Sequence, residues 1–183
     1  MKKNNFSLCY RNVKYPRIEV KSDGVKLIVP KNYSLKIDEI VKRYEDWIEK
    51  KNRALKELAA LSQRLTLFNN EDFKELIYNY VKEYSELLKI KPEKISFRKM
   101  KKGWASCNVT KRKLIFNKEL RFLPKEIIKY VVFHELCHLL VSNHKKEFWQ
   151  LVEKFQPDFK EKEKILASYR LLLTFVKEKN KIL

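Results

Sequence analysis

A chain of 183 residues with 44 % hydrophobic and 13 % aromatic content can bury one substantial core, and its two glycines and five prolines speak against a disordered or low-complexity protein. The formal net charge of +19 is spread through every third of the sequence, so it fits a lysine-rich surface as well as a dedicated nucleic-acid face. Cys9, Cys107 and Cys137 are odd in number and far apart, which argues against a disulfide framework. No stretch reaches the ~20 apolar residues of a bilayer span, and the basic N-terminus lacks the apolar core of a secretory signal; a reducing, cytoplasmic setting with no membrane partner is expected.

Taken in order, residues 13–15, 17–21 and 25–29 alternate as short strands, the last two joined by a turn at Ser22-Asp23-Gly24, and Pro30 closes this hairpin or meander. From Ser34 the period changes. Ile37, Ile40, Val41, Tyr44, Trp47, Ile48 and Leu55 recur at helical spacing and predict one long helix over about residues 35–61. Asn69-Asn70 reads as the start of a second helix, whose stripe of Phe73, Leu76, Ile77, Tyr80, Val81, Tyr84, Leu87 and Leu88 belongs to the core, and Pro92 stops it. Residues 95–100, 104–107 and 113–117 read as strands, with a turn over 108–112. The run from Lys94 to Lys113 holds eight basic residues and no acid, as suits either a lysine-protected hairpin edge or an anion-binding rim. Pro124 suits the first turn of a helix from Lys125 to about Val141. Two further helices follow over 147–155 and from Ile165 to Val176, and the basic tail from Lys177 is expected to fray. The whole reads as a single domain, with a hairpin and long helix over 1–62 and a core over 70–176.

All three histidines lie between Tyr130 and His144. Two of them form HExxH: at four residues' spacing on a helix they are rotated by only about 40°, so His134 and His138 can point at one metal ion. Glu135, about 100° further round, is too displaced to be a third ligand but can reach a water on the metal. Cys137 is turned away by a similar angle and reads as a small buried side chain. His144 would fall about 15 Å further along a continuous helix, so the helix must end first, and Ser142-Asn143 offers a stop through the left-handed conformation that Asn tolerates. The third ligand is then His144, or a downstream carboxylate such as Asp158 or Glu161.

Trp104-Ala105-Ser106-Cys107, Phe116-Asn117, Pro124, the run from Tyr130 to His138, Asn143-His144, Phe148-Trp149 and Pro157-Asp158 together resemble, in order and spacing, the YgjP-like zinc metallopeptidase domains, relatives of the SprT-like and Wss1-like proteases. The resemblance covers nearly the whole chain and is specific in its second half. It implies a zincin-like α+β fold, with a small, mostly antiparallel sheet packed on helices that include the HExxH helix. It also implies Zn2+ held by His134, His138 and His144, with Glu135 as catalytic base. The chain departs from the family pattern at Gly103, where an arginine is usual, at Ala105, and at Lys145 after the third histidine.

Three neutral imidazoles leave a fourth metal position open, as in catalytic rather than structural sites. The leading expectation is a zinc-dependent peptidase, with Trp104 and Ser106 on a strand along which an extended peptide pairs. Lys145, Tyr169 or a backbone N–H would be the second donor to the oxyanion. Two alternatives keep the metal. One is a nucleoside triphosphate pyrophosphohydrolase of UTP type, its phosphates held by the 94–113 cluster; the other is a protease directed by nucleic acid bound weakly to the basic surface. A metal-stabilised binding module that does not need Glu135 is the non-enzymatic reading.

Overall fold

The computed structural model describes residues 6–21, 24–32 and 37–179. Its elements are β1 (Phe6–Arg11), β2 (Arg17–Lys21), β3 (Gly24–Pro30), α1 (Ile37–Arg43), α2 (Glu45–Ser62), α3 (Phe73–Leu88), β4 (Lys94–Arg98), β5 (Ala105–Asn108), β6 (Lys113–Asn117), a 3-10 turn (Lys118–Phe122), α4 (Lys125–Cys137), α5 (Lys146–Phe155) and α6 (Phe159–Lys179). Contacts divide the chain into two compact units, Met1–Arg64 and Leu65–Leu183. Among the described residues no helix is long and apolar enough to cross a membrane. The α+β class expected from the sequence is the class observed.

In the first unit, β3 lies between β1, which runs parallel to it, and β2, which runs antiparallel. β1 was not expected. Its Phe6, Leu8 and Tyr10 are exposed, so it lacks the apolar-in alternation that marks a strand, and the expected strand over 13–15 is a bend instead. Ser22, Asp23 and the predicted helix start at Leu35 lie outside the described residues. The single long helix is two, broken at Tyr44, whose φ and ψ of −107° and 13° leave the helical region. Glu45 and Asp46 then open α2, where the helix dipole favours acids. Tyr44 and Trp47, expected in the buried stripe, are exposed.

The second unit repeats the strand order, with β6 between a parallel β4 and an antiparallel β5. The sheet is therefore mixed rather than mostly antiparallel, for a physical reason. β6 carries Leu114 and Phe116, both fully buried, and so takes the centre, where ladders on both sides satisfy its backbone. The tight turn over 108–112, closed by Asn108 Oδ1 accepting from the Lys111 N–H at 2.8 Å and by Arg112 at φ 43°, obliges β5 to return antiparallel. Only the far side of β6 is left for β4.

α3 begins later than its asparagines suggest. Asn70 instead ties the preceding loop down, its Nδ2 donating to the carbonyls of Arg121 and Leu123 at 2.9 and 2.8 Å. The helix ends on Lys89, left-handed at φ 52° and ψ 42°, a conformation that costs a residue with a Cβ about 1 kcal/mol. Lys89→Gly is accordingly expected to stabilise the protein by about 1 kcal/mol in a urea titration. No gain would mean that the lysine side chain contributes as much as its backbone loses.

α4 is the axis of the core. Nine of its thirteen residues are buried, against α3 on one side and α5, α6 and β5 elsewhere. Phe133 is fully buried, 4.9 Å from Tyr84 of α3 and 5.7 Å from Phe155 of α5, ring centre to ring centre. Such a helix shows no amphipathic stripe because every face is an inner face.

Candidate metal centre

His134 lies in the last turn of α4, and His138 is its C-cap, still helical at φ −65° and ψ −21°, so both imidazoles project to one side. The chain then tightens: the N–H groups of Leu139 and Leu140 bond to carbonyls three residues back. α4 thus ends at Cys137, a turn before Val141. Asn143 does not adopt the left-handed conformation expected of it. Its Oδ1 accepts from the Lys145 N–H at 3.1 Å, and this side-chain turn reverses the backbone into α5.

The reversal brings His144 back to the helix. His134 Nε2 and His144 Nε2 are 2.9 Å apart, and one nitrogen from each of the three histidines lies within 4.8 Å of the others. Aromatic faces hold the rings. His138 stacks on Phe148 at 4.5 Å, His144 on Trp149 at 5.5 Å, and Trp149 on Phe159 at 5.1 Å. Neither rival third ligand joins this cluster; Asp158 pairs with Lys162 at 2.9 Å instead.

Burial holds His134 far below the usual imidazole range, at about 3, with His138 and His144 adding repulsion, and burial also lowers His138. Both are therefore in the neutral form that binds metals. Burial pushes the Glu135 carboxyl up to about 8. Its Oε2 and the Nδ1 of His134 are buried polar atoms without a hydrogen-bond partner. Each such atom costs on the order of 1–3 kcal/mol. Three imidazole nitrogens converging beside a lone carboxyl fit a divalent cation, which would engage the ring lone pairs and favour the ionised carboxylate. Cys107 and Cys137 are raised by burial to about 11 and about 12, which leaves them protonated and unreactive.

The histidines open onto a cleft of 680 Å³ lined by Trp104, Ser106, Cys107, Tyr130, Trp149 and Glu163 among others. Among the described residues no lysine or arginine is part of the lining. Lys145, expected to contact substrate, is exposed at the start of α5 and is not part of the lining. Tyr169, a candidate second donor, is fully buried and donates instead to the Thr66 carbonyl at 3.0 Å. A separate concavity in the N-terminal unit has Arg17 and Arg43 and, among the described residues, no histidine, cysteine or carboxylate in its lining.

β5 is an edge strand, and its start is anchored where the chain departs from the family pattern. Gly103 is at φ +76°, and its carbonyl accepts from Arg170 Nη2 at 2.6 Å. The same guanidinium lies 4.0 Å from the Trp104 ring centre and pairs with buried Glu119 at 3.2 Å. The Trp104 Nε1–H donates to the Leu166 carbonyl at 3.3 Å. Sequence reasoning missed Arg170 and Glu163. Both sit in one row of α6 with Leu166, so the available signal was a charged residue at either end of a buried helical row.

Residues 52–169 match the profile of the YgjP-like, metallopeptidase domain family. The chain belongs to the YgjP-like family. No curated protein matches this YgjP-like chain. Among solved structures it is similar to two metallopeptidase zymogens, both at 24 % identity. Abylysin of Pyrococcus abyssi aligns over 48 % of this chain and 87 % of its own, with a TM-score of 0.43. Jannalysin of Methanocaldococcus jannaschii aligns over 51 % and 88 %, with a TM-score of 0.47. Family membership makes the YgjP-like chain a metallopeptidase-type hydrolase, and such an enzyme requires a divalent metal that the histidine cluster could hold.

Proposed function

We propose that this protein is a cytoplasmic, zinc-dependent peptidase in which His134, His138 and His144 hold the metal and Glu135 is the general base. The observation that carries this reading is the convergence of three imidazoles on one point beside an unpartnered buried carboxyl, in a cleft bordered by a free sheet edge. An all-nitrogen set favours zinc among the common divalent ions over magnesium or calcium, which prefer oxygen. Three unpaired cysteines support a reducing compartment.

When bound, zinc supplies a Lewis acid that acidifies water and polarises a scissile carbonyl. The protein does the rest. An extended peptide adds to the open side of β5 through main-chain hydrogen bonds, which aligns its carbonyl with the histidines. Glu135 accepts the proton of the attacking water on Oε2 and returns it to the departing amine. Its partnerless, buried environment keeps that oxygen available, because no neighbouring donor competes for it.

The lining speaks against the triphosphate alternative. Polyphosphate recognition needs several cationic or backbone N–H donors, and among the described residues no lysine or arginine is part of the cleft lining, while Arg170, behind Gly103 and Trp104, is committed to the Gly103 carbonyl and Glu119. Metal analysis followed by a substrate panel tests the choice. One zinc per chain and cleavage of unfolded protein are expected, with no pyrophosphate released from nucleoside triphosphates. Pyrophosphate release without peptide cleavage would reverse the assignment. For the nucleic-acid alternative, a DNA affinity that falls steeply with salt is the signature, and a flat response removes it.

A further inference from the structure

We propose that Glu163, clamped by Tyr130, is a positioning residue that fixes the tautomer and orientation of the His134 imidazole. The inference rests on the metal-binding role given to His134 above and adds a group that the sequence pattern does not single out.

The ring of His134 is used from both ends. Its Nε2 faces the other histidines, 2.9 Å from the Nε2 of His144. Its Nδ1 points the opposite way, is buried, and has no hydrogen-bond partner. The nearest carboxylate oxygen is Glu163 Oε1, at 3.7 Å. That separation is too long for a hydrogen bond, but it is closed by a shift of less than about 1 Å in a side chain that is 42 % exposed.

Glu163 is not free to go elsewhere. The same Oε1 accepts from the Tyr130 hydroxyl at 2.7 Å. Tyr130 is almost fully buried one helical turn before His134, and the two rings meet edge to face at 6.0 Å. A carboxylate from α6 is therefore held against two side chains of α4 that share one face. The adjacent Lys162 is engaged with Asp158.

His138 shows the same logic with a different acceptor: its Nδ1 lies 3.2 Å from the Val141 carbonyl. In both residues an oxygen behind Nδ1 favours the tautomer with the proton there, which would leave the Nε2 lone pair available to a metal. Without such an acceptor, a neutral His134 could carry its proton on Nε2 and present no lone pair. A carboxylate does more than a carbonyl, because its charge raises the basicity of the ring nitrogen opposite.

The test is zinc affinity of the full chain, measured by competition with a chromophoric chelator, for wild type, Glu163→Ala, Glu163→Gln and Tyr130→Phe. Glu163→Ala is expected to weaken binding by about 10- to 100-fold, in line with the loss of an outer-shell partner. Glu163→Gln keeps an uncharged acceptor and should fall between the two. Tyr130→Phe leaves the carboxylate but releases it, so its loss should be the smallest. A second reading comes from imidazole 15N shifts of the metal-free protein, where Glu163→Ala should move His134 toward the Nε2-protonated tautomer. Zinc affinity of Glu163→Ala within about twofold of wild type, or an unchanged 15N pattern, overturns the assignment. Should the alanine variant fail to fold, Glu163→Gln carries both readouts. Failure of the wild type to bind zinc at all would instead remove the peptidase reading on which the assignment stands.

Discussion

Glu135→Gln is expected to lower peptide hydrolysis by about 10²- to 10⁴-fold, the usual worth of a positioned general base, while the bound zinc stays unchanged. The substitution is close to isosteric and removes no hydrogen bond from Oε2, which has none. It also replaces a carboxyl that burial disfavours in its charged form, so the fold should be at least as stable as wild type. Loss should therefore appear in kcat rather than in KM or in metal content. Hydrolysis that survives with full zinc occupancy would take Glu135 out of the mechanism and favour a metal-stabilised binding module.

Phe133→Ala is expected to destabilise the protein by about 3–5 kcal/mol, and to lower its thermal midpoint by roughly 10–20 °C. Phe133 is fully buried, and it clamps α4 between Tyr84 of α3 and Phe155 of α5. The alanine leaves a void that backbone elements on three sides cannot collapse to fill. Phe133→Leu, which keeps most of the volume, should cost far less, at about 1–2 kcal/mol. Because His134 follows directly, zinc affinity should fall with Phe133→Ala even where the chain remains folded. A loss below about 1 kcal/mol would show that α4 is not positioned by these contacts.

Several elements could be read from residue order because their causes are local. The stripe of α3, the hairpin of β5 and β6, the proline before α4 and the aromatic face of α5 each depend on periodicity or on turn chemistry within a few residues. The misses have equally local explanations. β1 carries apolar residues on an exposed side, so its pattern misleads, and Tyr44 breaks a helix without the proline or glycine that would announce it. Lys145 and Tyr169 were reasonable donors by residue type. Chemistry alone could not tell that one side chain faces solvent and the other is committed to Thr66.

The pairing of His134 with His138 follows from helix geometry, since 3.6 residues per turn put them on one side wherever the helix is packed. The adjacent carboxyl follows from the same rotation. Composition likewise sufficed for the size of the core and the absence of a disulfide framework. What surrounds the two histidines depends on turns and packing that helix periodicity does not carry. The side-chain turn at Asn143 brings His144 back, burial lowers His134 and His138, and Glu163 comes from another helix to 3.7 Å from Nδ1 of His134. The charge is the clearest case. A basic excess that pervades the sequence does not reach the cleft lining among the described residues, because lysine heads stay hydrated at the surface while the cleft is built from the inner faces of α4, α6 and β5.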